Sequence, residues 1–260
     1  MGTEAYLEVE NIGKHFGGLV AVDGVSFHVN RGEVVSIIGP NGAGKTTVFN
    51  MLTGVYKVDR GTIVFEGKHM ENRSPIHIVK AGISRTFQNI RLFGDLRVIE
   101  NVLIGSHIKT RYSFLDAIFR TAKYKKGEEE GILRAIEILR SIDLDHRRNE
   151  YADSLPYGEQ RKLEIARAIA TGARLILLDE PAAGMNPQES EELMKFIGNL
   201  RDLGYTIVMI EHDMSVVMNI SDRIYVLDHG RPIAQGLPEE IAKNPEVIRA
   251  YLGGDSAKGH

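Results

Sequence analysis

The sequence contains no cysteine and no apolar run long enough to cross a bilayer. Without cysteine, disulfides, thiolate zinc sites and a cysteine nucleophile are excluded, and the composition fits a reducing compartment. Apolar runs such as residues 175–178 and 207–210 end after a few positions, whereas a membrane-spanning helix needs about 18 or more. We therefore expect a chain that does not span a membrane by itself.

An excess of charge of either sign is also missing. The 32 Lys and Arg residues face 35 Asp and Glu residues, which leaves a formal net charge of -3 and argues against a strongly basic nucleic-acid binder. A content of 43% hydrophobic residues argues against disorder. Near the start, Glu4, Glu8 and Glu10 stand where a signal peptide needs basic and then apolar residues. We expect a cytoplasmic globular protein with no nucleic-acid partner.

The 260 residues suffice for one large domain or for one domain with a subdomain. Short apolar segments rich in β-branched residues alternate with helical patterns, which predicts an α/β fold with buried parallel strands. The predicted strands cover residues 25–29, 34–38, 62–65, 175–178, 206–210 and 224–227. The predicted helices are one that follows Gly44 and four more at residues 158–171, 188–203, 214–220 and 245–252.

Strand signals fade between about residues 90 and 153, where helical patterns cover residues 98–107, 114–122 and 131–141. We predict a helical subdomain there, inserted into a core of about residues 1–89 and 154–253, with 254–260 as a flexible tail. Inside the insertion, basic residues from Lys109 to Lys126 precede three consecutive glutamates, with aromatic residues interleaved. A solvated helix pair is favoured there over a lipid- or partner-binding patch.

The helix predicted to begin at Gly158 has one apolar face. Apolar residues recur at helical spacing from Leu163 to Ala170 along that face. Arg161, Lys162 and Glu164 lie off it. We therefore expect this helix to be buried on one side only, with these three charged residues off the buried face.

The strongest motif is a glycine-rich loop that follows the predicted strand at residues 34–38 and fits the pattern G-x-x-x-x-G-K-[ST]. Its glycines let backbone N–H groups turn toward phosphate oxygens, and the next helix directs its positive end to the same charge. Lys45 is expected to reach the β- and γ-phosphates, and Thr46 to ligate Mg²⁺. The candidate nucleotide-binding residues are Gly39, Pro40, Asn41, Gly42, Ala43, Gly44, Lys45, Thr46 and Thr47.

A second motif lies where the apolar run 175–178 ends and Asp179 and Glu180 follow directly. Ligands bind at the carboxyl edge of buried strands in α/β sheets. Asp179 suits the ligand shell of Mg²⁺, and Glu180 suits a base that polarises an attacking water, because phosphoryl transfer needs positioning and charge stabilisation. Alone, the pair would indicate a strand-end turn, but beside the phosphate loop it indicates nucleotide hydrolysis.

These motifs, taken with the segments around Gln88 and Gly158, resemble the ATP-binding subunits of ABC transporters over essentially the whole chain. The resemblance implies a P-loop NTPase core of the ABC ATPase type, with an inserted α-helical subdomain and an N-terminal β subdomain. It implies ATP and Mg²⁺ as cofactors, Glu180, His212 and Gln88 as catalytic residues, and Gln88 as a further metal ligand. By itself, His212 would more often be a structural histidine.

The family's signature begins a helix whose amino end faces the γ-phosphate bound by the partner subunit. By resemblance, Tyr157, Gly158 and Glu159 contact nucleotide there. Pro156 stands where the common form has serine, so backbone N–H groups and the helix dipole must contact the phosphate instead. Proline also suits a helix start. Phe16 matches an aromatic that stacks on adenine in this family, and a core or turn aromatic is an equal alternative.

A narrower resemblance is to the LivG type, one of two ATPases of bacterial branched-chain amino-acid importers. It is carried by residues 84–93, 179–187, 210–214, 221–226 and 244–253. It implies transmembrane permease subunits, a second ATPase subunit of the LivF type or a second copy as dimer partner, and indirect action with a solute-binding protein. The chain would be peripheral, on the cytoplasmic face of the cell membrane. The alternatives are the ATPase of a lipopolysaccharide or other lipid transporter, a soluble ABC ATPase of DNA repair or translation, and a binding-only module.

Overall fold

The computed structural model describes residues 5–109, 116, 118–119 and 121–255. Four residues of the helix predicted at 114–122, namely 114, 115, 117 and 120, lie outside the described residues, as do residues 256–260 of the predicted tail. Within the described part of the chain, none of the helices combines the length and the apolar character that a bilayer crossing requires.

The first of two sheets is antiparallel and has the strand order β2-β1-β4-β5. Its strands are β1 (Leu7–Phe16), β2 (Leu19–Val29), β4 (Arg60–Phe65) and β5 (Lys68–His69). Leu7 and Val9 are buried in β1 while Glu8 and Glu10 are exposed, so one face of the sheet packs on the core. The sequence prediction missed β1, whose short alternation lies among polar residues.

The second sheet has six strands in the order β10-β9-β3-β8-β7-β6. Its strands are β3 (Val34–Ile38), β6 (Ile83–Arg85), β7 (Leu175–Asp179), β8 (Thr206–Ile210), β9 (Arg223–Asp228) and β10 (Arg231–Gly236). All neighbours are parallel except β10, which runs antiparallel to β9. Every residue of β3, β7 and β8 is buried, which explains their continuous apolar runs.

Nine α-helices with defined bounds, together with three short 3₁₀ helices, complete the described chain. The α-helices are α1 (Lys45–Leu52), α2 (Pro75–Ala81), α3 (Val98–Ser106), α4 (Ala122–Ser141), α5 (Tyr157–Ala170), α6 (Pro187–Asp202), α7 (Met214–Ile220), α8 (Pro238–Ile241) and α9 (Pro245–Asp255). Helix α4 begins well before the predicted start at residue 131, because the Thr121 hydroxyl caps it by accepting from the Tyr124 N–H at 3.3 Å. The first half of α4 is rich in charged residues and shows no apolar periodicity, so the sequence pattern did not predict it as helical.

The prediction that α5 is buried on one side only is wrong. Arg161 is 0% exposed and Glu164 is 2% exposed, so the helix is buried on the charged side as well. The two side chains pair with each other at 2.8 Å. Since an ion pair with further hydrogen bonds can be buried where single charges cannot, helical spacing alone misplaced both residues.

Alternate residues of the parallel strands point into two apolar clusters on opposite faces of the six-stranded sheet. One cluster contains residues of the N-terminal sheet and α1, and the other contains residues of α3, α5, α6 and α7. Packing on both faces holds the strands rigidly, so the loops at their carboxyl ends are positioned on a fixed edge. The predicted α/β class with inserted helices is confirmed.

Candidate functional site

The glycine-rich loop connects β3 to α1, and Lys45 is the first residue of that helix. The Lys45 side chain is 8% exposed and curls back over the loop, where its Nζ donates to the carbonyls of Gly39 at 2.6 Å and Pro40 at 3.0 Å. Burial lowers the pKa of Lys45, and the charges of Glu180 and Asp179 oppose that shift. The ammonium group therefore lies in the loop, within electrostatic range of both carboxylates.

Two glycines of the loop are required by close backbone approach. Gly39 has φ 148°, and a Cβ there would lie 2.0 Å from the carbonyl oxygen of Leu227 at the end of β9. Gly44 has φ 96°, and a Cβ there would lie 2.6 Å from the carbonyl oxygen of Ala21 in β2. Any larger residue would push the loop away from both strands. The loop shape thus depends on both sheets.

Asp179 ends β7 and is buried beside an arginine that the sequence prediction missed. The Arg85 guanidinium contacts the Asp179 carboxylate at 2.5 Å and donates to the Asn50 side chain at 2.7 Å. Both members of the ion pair are more than nine-tenths buried, since their side chains are 6% and 8% exposed. The two residues lie on neighbouring strands β6 and β7 but far apart in the sequence, so sequence patterns could not predict the ion pair.

Glu180 directly follows β7 in an unusual backbone conformation. Its φ is 45°, in the left-handed region that non-glycine residues rarely adopt. Its N–H donates to the carbonyl oxygen of Ile210 at the end of β8 at 2.9 Å, which holds the turn in place. Such left-handed residues cluster at functional sites, where surrounding structure holds them.

Three predicted catalytic side chains meet here, each from a segment that follows a different parallel strand. The Nε2 of Gln88 donates to the Oε2 of Glu180 at 2.6 Å. The Nδ1 of His212 lies 3.7 Å from the same oxygen. The structure thus brings Gln88, Glu180 and His212 together at the carboxyl edge of the sheet.

A second carboxylate, Glu211, lies behind this group and was not predicted. It is 1% exposed and accepts from the N–H groups of Ala182 at 2.9 Å and His212 at 3.3 Å. Burial raises the pKa of Glu211, against the effect of these two hydrogen bonds. Glu211 therefore ties the segment after Glu180 to the segment that carries His212. The sequence feature that could have indicated Glu211 as a site residue is its position between a predicted strand and His212.

The donor set suits Mg²⁺ only together with a nucleotide. Within the part of the chain that the structure describes, no group of three or more His, Cys, Asp or Glu side chains could hold a metal ion. The loop and β7 do offer the exposed Thr46 hydroxyl and the Asp179 carboxylate. Mg²⁺ is commonly held by one or two carboxylates, waters and substrate phosphates. These oxygen donors fit that pattern.

The remaining candidate residues have contacts elsewhere. Phe16 in β1 is 42% exposed, and its ring meets the edge of Tyr56 with centroids 5.1 Å apart. The Nζ of Lys14 lies 5.5 Å from the same ring centroid. Phe16 therefore packs on Tyr56 and Lys14 while remaining partly exposed.

The signature residues occupy the first turn of α5. The Tyr157 hydroxyl donates to the Ala183 carbonyl at 3.0 Å, and the Glu159 carboxylate lies 2.9 Å from the Arg147 guanidinium. Gly158 lies between them. The helix begins directly after Pro156, so the proline is compatible with the helix start that the sequence predicted.

Comparison with known families agrees with this arrangement. Residues 22–183 match the model of the ABC transporter family, described as ABC transporter. Residues 231–257, which include β10 and all of α9, match a second model, described as branched-chain amino acid ATP-binding cassette transporter.

Curated relatives and solved structures match along nearly the full chain. The protein is 47% identical over 252 residues, covering 96% of this chain and 99% of the relative, to the high-affinity branched-chain amino acid transport ATP-binding protein LivG of Salmonella typhimurium. It is 46% identical over 248 residues to BraF, of the same description, from Pseudomonas aeruginosa, covering 95% and 97% of the two chains. A crystal structure of the ADP conformation of MJ1267, an ATP-binding cassette of an ABC transporter, superposes with a TM-score of 0.85 at 38% identity, covering 96% and 100%. The chain belongs to the ABC transporter family.

Proposed function

We propose that this chain is the ATP-binding and ATP-hydrolysing subunit that powers an ABC importer of branched-chain amino acids. The observation that carries the proposal is the meeting of Gln88, Glu180 and His212 at the sheet edge next to Lys45 and Asp179. Relatives that are 46–47% identical and named for branched-chain amino acid transport support that cargo over a lipid.

The phosphate loop is the proposed ATP site. Backbone N–H groups of the loop and the amino end of α1 face the β- and γ-phosphates, and Lys45 exchanges its bonds to loop carbonyls for phosphate oxygens. Thr46, Asp179 and Gln88 would hold Mg²⁺, which neutralises charge on the phosphates when it is bound. The exposed ring of Phe16 is proposed to stack on adenine.

Glu180 is proposed as the base of the hydrolysis step. It accepts a proton from water as the water oxygen attacks the γ-phosphorus, and the bond to the β–γ bridging oxygen breaks to yield ADP and phosphate. Gln88 orients the Glu180 carboxylate through the 2.6 Å hydrogen bond. His212, whose Nδ1 lies 3.7 Å from the same carboxylate oxygen, is proposed to contact the γ-phosphate.

A groove of about 600 Å³ is the proposed docking site for the permease subunits. It lies between the α2 region and the helices α3 and α5, and its rim carries the exposed side chains of Val55, Phe87, Phe93 and Ile104. Exposed apolar side chains around a groove are typical of a protein interaction site. Because the segment with Gln88 forms one wall, an occupant there would act on the residue that contacts Glu180.

The working unit is proposed to be a dimer, since the signature in α5 would serve nucleotide bound by the partner. Tyr157, Gly158 and Glu159 are the proposed contact residues. The partner is either a second copy or a LivF-type sister.

In the proposed domain division, about residues 1–89 and 154–253 form the core and 90–153 form the helical subdomain. The chain would be peripheral on the cytoplasmic face of the cell membrane and act indirectly with a solute-binding protein.

The test is purification of this chain from detergent-solubilised native membranes in the presence of ATP, followed by identification of stoichiometric partners by mass spectrometry. Two hydrophobic permeases and an ATPase of the same family are the expected partners. Recovery with lipid-transport components would change the cargo, and recovery only with ribosomes or DNA would overturn the transport proposal.

A further inference from the structure

Arg161 is a fully buried arginine whose guanidinium faces the segment that carries Gln88. Its Nη1 donates to the carbonyl oxygen of Phe87 at 2.7 Å, and its Nη2 donates to the carbonyl oxygen of Gln88 at 2.7 Å. The planar fork of a guanidinium can hold two adjacent carbonyls in a fixed geometry, which a lysine ammonium cannot do. The backbone on both sides of the Gln88 Cα is thereby fastened to α5.

Glu164, one turn further along α5, forms hydrogen bonds both with Arg161 and with the Gln88 turn. Its Oε2 accepts from Arg161 Nη1 at 2.8 Å, and its Oε1 accepts from the N–H of Arg91 at 3.2 Å. The ion pair thus holds two carbonyls before and at Gln88 and one N–H after it. The whole turn from residue 87 to residue 91 is bound to one helix.

The same arginine also reaches toward the turn that follows Glu180. Its Nη2 lies 3.4 Å from the Tyr157 hydroxyl, which donates to the carbonyl of Ala183 at 3.0 Å. The N–H of Ala183 donates to the carbonyl of Glu180 at 3.1 Å. Since Gln88 contacts the Glu180 side chain at 2.6 Å, these bonds form a closed ring. The ring joins the proposed base, the Gln88 turn and the start of α5.

Stability alone is a poor explanation for this pair. Replacing a buried ion pair with well-packed apolar residues is often neutral or stabilising, because desolvation of the charges offsets their attraction. The Nε of Arg161 also finds no acceptor among the described residues, which adds to its desolvation cost. The bonds that Arg161 does form are directed at the Gln88 turn, so they fix position.

We propose that Arg161 is a positioning residue that holds Gln88 against Glu180 and moves the Gln88 turn together with α5. The inference rests on the proposed ATP hydrolysis for its kinetic consequence. It also gives the groove a physical link to the site. Phe87 and Arg91 line one wall, Glu164 and Arg167 line another, and Arg161 fastens the two walls to each other.

The test uses the complete chain with the paired substitution Arg161→Met and Glu164→Met, which removes both charges and keeps side-chain volume. Hydrogen exchange should rise in residues 84–93, where the Arg91 N–H loses its acceptor, with resistance to urea maintained. ATP affinity should stay within about twofold, while turnover should fall about tenfold or more, because displacing a catalytic group costs rate. Arg161→Lys, which keeps the charge without the planar fork, should show the same change in exchange to a smaller degree.

A cycle with Gln88→Ala separates positioning from general damage. If Arg161 acts through Gln88, the paired substitution should lower turnover no further once Gln88 is absent. An equal additional loss in that background would overturn the proposal. The matched control is Glu130→Met with Arg134→Met, an exposed ion pair on α4 at 3.7 Å, which should change neither readout.

The two proposals fail in different ways. If the unmodified chain does not hydrolyse ATP in its purified transporter complex, the proposed function fails, and the exchange measurement still decides on Arg161. If the unmodified chain hydrolyses ATP and the paired variant shows normal exchange at residues 84–93 or normal turnover, the positioning proposal fails and the proposed function stands.

Discussion

The side-chain amide of Gln88 donates a 2.6 Å hydrogen bond to the carboxylate of Glu180. The first residue belongs to a turn that lines the groove, and the second is the proposed base at the end of β7. A movement in the groove would therefore change the surroundings of Glu180 directly. In the proposed mechanism, this single hydrogen bond couples the binding of a partner in the groove to ATP hydrolysis at Glu180.

Glu180→Gln should bind ATP and lose most of its turnover, by about 100-fold or more, because an amide cannot accept the proton of water. ATP binding and phosphate release measured on the same preparation check this expectation. Glu191→Gln changes an exposed glutamate on α6 and should behave as the unmodified chain. Near-normal hydrolysis by Glu180→Gln would contradict the assignment of Glu180 as the base.

Lys45→Ala should weaken ATP binding by about tenfold or more, since a charge-assisted hydrogen bond contributes about 1.5–3 kcal/mol and 1.4 kcal/mol is tenfold in affinity. Equilibrium titration with a fluorescent ATP analogue measures the effect. Lys68→Ala removes an exposed lysine from β5 and serves as the control. Unchanged affinity in Lys45→Ala would contradict the phosphate-loop assignment.

Phe16→Ala should lower ATP affinity about fivefold or more if the ring stacks on adenine, while Phe16→Tyr should keep it. The competing interpretation, in which Phe16 only packs on Tyr56, predicts instead a lower urea midpoint with unchanged affinity. Titration and urea unfolding on both variants distinguish the two.

Phe93→Asp should prevent recovery of the permease subunits with this chain and leave ATP affinity unchanged. Phe93 is 49% exposed at the groove, and a carboxylate there would be desolvated by an apolar occupant. Leu133→Asp is the matched control, because Leu133 is 55% exposed on α4 and does not line the groove. Equal recovery of permeases with both variants would rule out this groove as the docking site.

Glu211→Gln tests the buried carboxylate through pH. Because burial raises the pKa of Glu211, its stabilising contribution is complete below the ordinary glutamate pKa and is lost as pH rises through the raised pKa. Glutamine does not titrate, so the stability of the unmodified chain relative to Glu211→Gln should fall as the pH rises from the ordinary glutamate pKa through the raised pKa of Glu211. The fall should be about 1.4 kcal/mol for each unit by which the pKa is raised.

Urea unfolding of both chains at several pH values measures that difference. Glu191→Gln should give a flat difference over the same interval, since a hydrogen bond to Lys195 lowers the pKa of Glu191. A flat difference for Glu211→Gln as well would show that the Glu211 carboxyl does not carry the raised pKa.

Local features of the chain were predictable because their cause lies within a few residues. Strands β3 and β8 have the predicted bounds, since a fully buried parallel strand must be apolar throughout. Helix α3 ends within one residue of its predicted end. The phosphate loop was readable for the same reason, as its glycines, Lys45 and Thr46 are consecutive.

Charged groups inside the fold were not predictable. Arg85 and Asp179 are 94 positions apart and pair only because β6 and β7 are neighbours in the sheet. The guanidinium of Arg161 needed acceptors more than 70 positions away, and the sequence prediction put it on the exposed side of α5. Helical spacing identifies the side chains that share one face of a helix, but it does not identify the residues that pack against that face.

The amino-acid sequence by itself determined the α/β order, the phosphate loop and the identities of the groups that can handle phosphate, because each depends on short-range pattern and chemistry. Only the tertiary structure decided which of these groups meet. Gln88, Glu180 and His212 follow different strands, and packing on both faces of one sheet brings the carboxyl ends of those strands to a single edge. That same packing buried Arg161 against the Gln88 turn, where its charge is satisfied by distant backbone carbonyls.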